Sequence, residues 1–146
     1  MTQILQDNRL LRISTPLADD AVVAVSMVGE EAVSRPFLFT VDLVSTESPS
    51  DVMDLLGRPV TLHIAPPDGK ERLVHGLVRR LLTSGRDRRI QHDRYRIEVV
   101  PSLWFLSLST NCRTFENKSV LDIVEEVCKG GHVSDLDPRV ASTPPV

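Results

Sequence analysis

The sequence predicts a mainly β protein, α+β at its margin, built as an antiparallel curled sheet or a small β-barrel with two short helices. Three features predict this fold: segments in which apolar and polar residues alternate, a long apolar segment broken by a glycine, and turn-forming residues between successive segments. With 146 residues, of which 41% are hydrophobic and 25% charged, the chain is long enough for one domain with a sizeable core.

Several short segments have the alternation or composition of β-strands. They are 21–28, 37–44, 60–64, 94–99 and 103–108. Successive side chains of a strand point to opposite faces, so Tyr95, Ile97 and Val99 are expected on a buried face. Their charged neighbours are then expected in water, as in an antiparallel sheet with one wet face.

A longer strand is predicted over 71–83, with Val74, Val78 and Leu82 on one face and leucines on the other. Gly76 lies inside it, and a glycine at such a place often marks a bulge, a bend or the close approach of another backbone. Turn residues are expected at 66–69 and 84–87. The resulting meander of hairpins favours a sheet that curls.

The first helix is predicted over 51–56, with Ser50 or Asp51 as its N-cap and Gly57 as its end. The second helix is expected to follow the N-cap Ser119 and to end at Gly130. Its apolar residues recur at helical spacing and predict a face that packs against the sheet. These residues are Val120, Ile123, Val124, Val127 and Cys128.

Charge and cysteine content exclude several classes of protein. The net charge of −3 and the pI of 5.8 argue against general nucleic-acid binding, which needs a basic excess. Neither a bilayer-spanning apolar run nor a signal peptide is recognisable, so assembly in the cytoplasm is expected. Cys112 and Cys128 are interpreted as small apolar packing residues.

The sequence offers no pattern typical of catalysis, so we expect no enzyme activity, no cofactor, no small-molecule substrate and no metal site. The four histidines are scattered and no short-spaced ligand motif occurs. Ser84 before Gly85 suits a hairpin turn better than a nucleophile elbow.

One local charge anomaly is a possible patch for an anion or an acidic partner on the hairpin around Gly85. Its residues are Arg79, Arg86, Arg88, Arg89, Arg94 and Arg96. The simpler interpretation is that these charges keep a protruding hairpin soluble and protect its edges from other sheets. Nucleic acid is less expected, because Tyr95 is the only aromatic residue there to stack on bases.

A series of segments resembles the start of VgrG proteins, the spike components of bacterial type VI secretion in the Rhs/Vgr family. The segments are 33–39 (VSRPFLF), 41–45 (VDLVS), 55–62 (LLGRPVTL), 75–78 (HGLV), 95–96 (YR) running into 100–106 (VPSLWFL), and 112–119 (CRTFENKS). The resemblance extends from near Leu11 to His132 and keeps the order and spacing of the family.

The resemblance implies a tail-hub-like β-barrel domain over 1–132. The segment 133–146 loses periodicity and gains prolines, so a disordered tail is expected there. In the full-length family, three subunits form the hub, which sits on a tube of Hcp and is secreted without a signal peptide. The partners implied are other VgrG-type subunits and Hcp, and the role implied is structural support of effector delivery.

The sequence ends in ASTPPV, whereas members of the family continue into a second barrel, a neck and a needle. We therefore expect a truncated form. Two alternatives stay open: a small barrel that binds anions or nucleic acid through the arginine-rich hairpin, and a non-functional fragment of a longer spike.

Overall fold

The described residues form six β-strands, two α-helices and one 3₁₀ helix in a computed structural model. The description covers residues 5–7, 9–45, 47–67, 69–87, 92–131, 133, 136, 137 and 139. In chain order the elements are β1 (Leu11–Ser14), β2 (Val22–Ala32), β3 (Arg35–Ser45), α1 (Pro49–Met53), β4 (Pro59–Ile64), β5 (Arg72–Asp87), β6 (His92–Val100), the 3₁₀ helix (Ser102–Leu108) and α2 (Val120–Gly130). They fall into two units, Met1–Pro101 and Ser102–Val146.

The first unit is one six-stranded antiparallel sheet in the order β1-β4-β5-β6-β3-β2. The sheet curls into a half-barrel, which confirms the predicted fold class. β1 and β2 are the two edges of the sheet, so the other four strands each pair with two neighbours.

The core lies on the concave side of the sheet and follows the predicted alternation. Tyr95, Ile97 and Val99 of β6 are at most 1% exposed. Val52 of α1 and Leu55 after it are completely buried in the same cluster, so this short segment packs into the core. Each such side chain contributes about 1.5–3 kcal/mol by leaving water.

The long strand β5 corrects the predicted assignment of faces. Val78 and Leu81 are both buried, whereas Leu82 is 41% exposed and does not share the face of Val78. A register shift between Val78 and Arg80 inserts an extra residue, and this reverses the side-chain alternation beyond it. Gly76 instead marks a close approach, since a Cβ there would lie 2.7 Å from the backbone oxygen of Val100.

The two predicted turns have different outcomes. The turn near Gly69 is confirmed, because the Gly69 amide donates to the Pro66 oxygen at 3.3 Å between β4 and β5. The turn predicted over 84–87 is wrong, because β5 continues to Asp87 and passes this point with a second register shift. Gly85 has a φ of 96°, a positive value that glycine adopts readily, and it adopts this conformation inside the strand.

The segment after Pro101 is a 3₁₀ helix and not the predicted strand over 103–108. Its bonds are local: the Ser109 amide donates to the Leu106 oxygen at 3.3 Å, and the Ser107 hydroxyl donates to the Trp104 oxygen. An apolar run without alternation suits a strand and a helix equally, which explains the error.

The helices begin near the predicted positions. For α1 the N-cap is Ser48 and neither of the predicted residues, Ser50 and Asp51, because the helix already begins at Pro49. For α2 the predicted N-cap Ser119 is confirmed and forms a capping box with Asp122.

The apolar face of α2 is less buried than expected. Cys128 is 3% exposed, but Val120, Val124 and Val127 are 56%, 41% and 39% exposed. Cys112 is also exposed, contrary to its interpretation as a packing residue. The segment predicted as a disordered tail, 133–146, lies mostly outside the described residues.

Candidate assembly surface

The outer face of β3 and β6 carries a row of paired charges. Arg96 donates from Nε to Oδ1 of Asp42 at 2.7 Å, and the Ser26 hydroxyl of β2 donates to Oδ2 of the same carboxylate at 2.7 Å. The hydrogen bonds from Arg96 and then Ser26 hold the pKa of Asp42 below its usual range. The row runs directly across three strands, since these residues face each other in the register.

A second group lies further along the same face, at the register shift of β5. Arg79 donates from Nε to Oε2 of Glu98 at 2.8 Å, and Nη1 of Arg80 lies 3.5 Å from Oε1. The shift brings two successive arginines to one carboxylate, because it places both beside the same residue of β6. Glu98 is the more enclosed partner, with its side chain 17% exposed.

The positions of the described arginines show whether the predicted arginine patch forms. Arg79 and Arg96 are tied to carboxylates, whereas Arg86 and Arg94 lie further out, opposite Asp93 and Gly85 in the register. Arg88 and Arg89 lie outside the described residues. The structure therefore spreads the described arginines along the hairpin and does not gather them into one patch.

A groove of about 270 Å³ lies on this face of the sheet. Val25 and Val44 supply apolar walls, and Asp42, Arg94 and Arg96 supply charges of both signs. Mixed charge beside apolar side chains is typical of a protein-binding rim more than of a phosphate site.

The hairpin of β2 and β3 presents apolar side chains to solvent. Val25 is 54% exposed at a register shift, Val28 is 69% exposed, and Val33 at the tip is 95% exposed. Ser34 next to Val33 has a φ of 63°, so the tip is a tight turn that projects its side chains. An exposed apolar row on a projecting hairpin is a candidate contact for another protein.

A separate polar network joins β1, β4 and the start of β5. The Ser14 hydroxyl lies 2.9 Å from Nε2 of His63, and Nδ1 of His63 lies 3.2 Å from Oε1 of Glu71. Arg12 donates to the same oxygen of Glu71. This group could not be expected from the sequence, because β1 was not predicted; the alternation in 60–64 indicates only that His63 lies on the polar face of that strand.

The second unit has a cavity of about 280 Å³ between α2 and the segment before it. Leu106, Phe115 and Val127 line its apolar part and Arg113 its charged part. Among the described residues, no cluster of three or more His, Cys, Asp or Glu side chains is arranged to bind a metal. None of the described helices is long and apolar enough to span a bilayer.

The known proteins that resemble this chain include three from Pseudomonas aeruginosa, all named type VI secretion system spike proteins. VgrG1b is 33% identical over 92% of this chain, VgrG1a 31% over 91%, and VgrG1c 31% over 90%. The match covers 18%, 20% and 18% of these relatives. The chain thus spans about a fifth of the length of the curated relatives that it matches.

A solved structure has the same fold. It is the E. coli protein c3393, a component of the type VI secretion system with structural similarity to the T4 bacteriophage tail proteins gp27 and gp5. The TM-score is 0.62 at 20% identity, over 82% of this chain and 31% of that one, which shows the fold alone. The sequence model of the family described as Phage tail baseplate hub (GPD) matches residues 30–145, and the chain therefore belongs to this family.

Proposed function

We propose that this chain is a structural hub component of a VgrG-type spike, which docks on a tube of Hcp and supports the delivery of effectors. The family match over residues 30–145 carries the proposal. In this proposal residues 1–132 act as the hub domain, other VgrG-type subunits are partners, and assembly takes place in the cytoplasm before secretion.

The surface of the first unit supports a role in assembly. A hub needs side chains that contact neighbours, and Val25, Val28 and Val33 offer an exposed apolar row on one hairpin. The groove beside Asp42 and Arg96 offers polar contacts next to it. An apolar centre with a polar rim is the usual composition of a protein interface.

The pairing of arginines weakens the alternative of an anion-binding barrel. Arg96 is bonded to Asp42, and Arg79 to Glu98, so an incoming phosphate has to compete with a carboxylate already in place. The described part of the hairpin therefore supports a protein contact better than nucleic-acid binding.

The experiment is crosslinking of the purified chain with hexameric Hcp from the same organism, followed by mass spectrometry. We expect crosslinks from the first unit to Hcp and weaker capture of Val33→Asp, because a charge at the hairpin tip has to be desolvated on docking. The matched control is Ser34→Asp, which places the same charge one residue away, and aspartate tolerates the left-handed conformation found there.

Two results contradict the proposal. One is the absence of crosslinks to Hcp with a folded chain, judged by circular dichroism. The other is equal loss of capture in Val33→Asp and Ser34→Asp, which would reduce the effect to general repulsion and remove the hairpin tip from the interface.

A further inference from the structure

The network on β1 and β4 has the geometry of an acyl-transfer triad. Ser14 Oγ lies 2.9 Å from Nε2 of His63, and the other ring nitrogen, Nδ1, lies 3.2 Å from Oε1 of Glu71. The hydroxyl and the carboxylate thus contact opposite nitrogens of one imidazole. With Nδ1 donating to the carboxylate, Nε2 is free to accept the serine proton, as the serine–histidine–acid mechanism requires.

The sheet register places these side chains together on the solvent face. Arg12 of β1 is paired with His63 of β4, and Ser14 is paired with Thr61, so Ser14 is the diagonal neighbour of His63. Diagonal neighbours on one face are within reach of long side chains. The His63 side chain is 23% exposed and Ser14 is exposed, so a reagent can reach the hydroxyl.

Glu71 is suited to hold the imidazole in this orientation. The hydrogen bond from His63 and then that from Arg12 keep the pKa of Glu71 below its usual range, so it is a carboxylate at neutral pH. Arg12 also donates to Oε1, the same carboxylate oxygen that contacts His63. Glu71 is therefore a positioning residue, which acts on the reaction through His63.

Ser14 is one of the residues that line a cavity of about 370 Å³. Asp7, Asp19 and Asp20 line it together with the polar Gln6. The backbone amide of Gln6 donates to the carboxylate of Asp20 at 3.0 Å, and Asp20 is held at a φ of 60°. Carboxylates around the approach to a nucleophile favour a positively charged group in the substrate.

We propose that Ser14, His63 and Glu71 form an acyl-transfer site that accepts small esters carrying a positive charge. This activity is additional to the proposed hub role and independent of it. The Ser14 oxygen bonds to the ester carbonyl carbon while its proton passes to Nε2 of His63. Cleavage of the carbon–oxygen bond then releases the alkoxide, which takes that proton from His63.

Water completes the reaction by the same route. His63 removes a proton from a water molecule whose oxygen attacks the acyl-Ser14 ester. The acid leaves, and the proton returns to Ser14. No oxyanion-hole donors are assigned near Ser14, and such donors are worth about 10²–10³ in rate. We therefore expect slow turnover with reactive reagents and activated or small esters.

The first test is labelling of the full chain with a fluorescent fluorophosphonate, in which a bond from Ser14 to phosphorus forms and fluoride leaves. We expect modification of Ser14 by peptide mass spectrometry, none in Ser14→Ala, and a rate at least about a hundredfold lower in His63→Gln, the factor general-base catalysis supplies. Glu71→Gln should lower the rate, and Glu71→Asp should restore part of it.

The matched control is His75→Gln. His75 lies 2.9 Å from the Thr61 hydroxyl on the same face, with no acid on its other nitrogen among the described residues. Labelling should be unchanged in this variant. The thermal unfolding midpoint of each variant is measured, and labelling rates are compared only between variants whose midpoints are equal. A change in labelling then cannot come from loss of the fold. Labelling elsewhere than Ser14, or labelling that survives His63→Gln, overturns the site.

The second test uses acetylcholine and its uncharged analogue 3,3-dimethylbutyl acetate, with acetate release as the readout. Acetylcholine should react faster, by up to about fivefold, the most that one exposed ion pair supplies, and Asp20→Asn should reduce this preference. Equal rates for the two esters overturn the assigned substrate class. Loss of Hcp capture would not affect either test, so this proposal and the hub role fail separately.

Discussion

Tyr95 is a single residue whose ring and hydroxyl have opposite effects on stability. It is 1% exposed in the core, and no described residue bonds to its hydroxyl. A buried hydroxyl without a partner costs about 1–3 kcal/mol. We expect Tyr95→Phe to raise the free energy of unfolding by about 1 kcal/mol in urea titrations, whereas Tyr95→Ala lowers it by about 3 kcal/mol or more.

The same residue gives a pH dependence of known sign. Burial, and then the charge of Asp93, raise the pKa of Tyr95 above its usual 10.0. Its contribution is therefore complete below the pKa of the unfolded chain and is lost as the pH rises through the folded value. Because the chain has one tyrosine, absorbance at about 295 nm measures its ionisation directly. A pKa in the folded chain at or below that in the unfolded chain would contradict this account.

Gly76 tests the close approach of β5 to the strand beside it. A Cβ there would lie 2.6 Å from Cγ1 of Val99 and 2.7 Å from the backbone oxygen of Val100. Both atoms belong to the neighbouring strand β6, whose backbone cannot easily shift because it is paired on both sides. Gly76→Ala should lower stability by about 1–3 kcal/mol. Gly130→Ala is the control, and it should raise stability. Its Cβ would lie 3.5 Å from Arg113, an ordinary contact, and alanine favours the helix. Equal melting shifts for the two variants would refute the packing argument.

At the scale of elements, the buried face of a strand was predictable where alternation is strict and was not where the register is irregular. In β6 the apolar residues keep a period of two, so Tyr95, Ile97 and Val99 are buried as predicted. In β5 the shift after Val78 depends on pairing with β6, which no local pattern reveals. The four-residue β1 is too short to show alternation, and its pairing with β4 is equally non-local.

The second helix offers a prediction about its cap. The Asp122 amide donates to the Ser119 hydroxyl oxygen at 3.3 Å, and the Ser119 amide donates to the Asp122 carboxylate at 3.0 Å. The hydroxyl bond from Ser119 first, and then its amide, lower the pKa of Asp122. Ser119→Ala should reduce the free energy of unfolding by about 1 kcal/mol at neutral pH, and Ser119→Thr by less.

The sign with pH follows from the lowered pKa. Asp122 stabilises the folded state above the unfolded value near 3.8, and this contribution is lost as the pH falls through the lower folded value. The difference in the free energy of unfolding between Ser119→Ala and the unaltered chain should therefore become smaller as the pH falls. A difference that grows toward acid pH, measured by thermal melts in matched ionic strength, would be inconsistent with the capping box.

At the scale of the whole molecule, family membership was predictable from ordered segments, and the site geometry was not. The segments 33–39 and 100–106 identify the hub family because their composition is distinctive along the chain. The ion pair of Asp42 and Arg96, and the contact of Ser14 with His63, join strands separated by 54 and 49 residues. Only the strand register brings these residues together. The arginine patch was predicted from residues close in sequence, which cannot show the register.

The oligomeric state follows from how much apolar surface the chain leaves for a partner. Val33 and Val28 are exposed, but they belong to one narrow hairpin, whereas a stable interface buries about 800 Å² on each partner. We expect the isolated chain to be monomeric or weakly associating at micromolar concentrations in analytical ultracentrifugation. A tight trimer would show that these residues suffice for the ring, and Val33→Asp, with Ser34→Asp as its control, would then reveal whether the hairpin tip holds it.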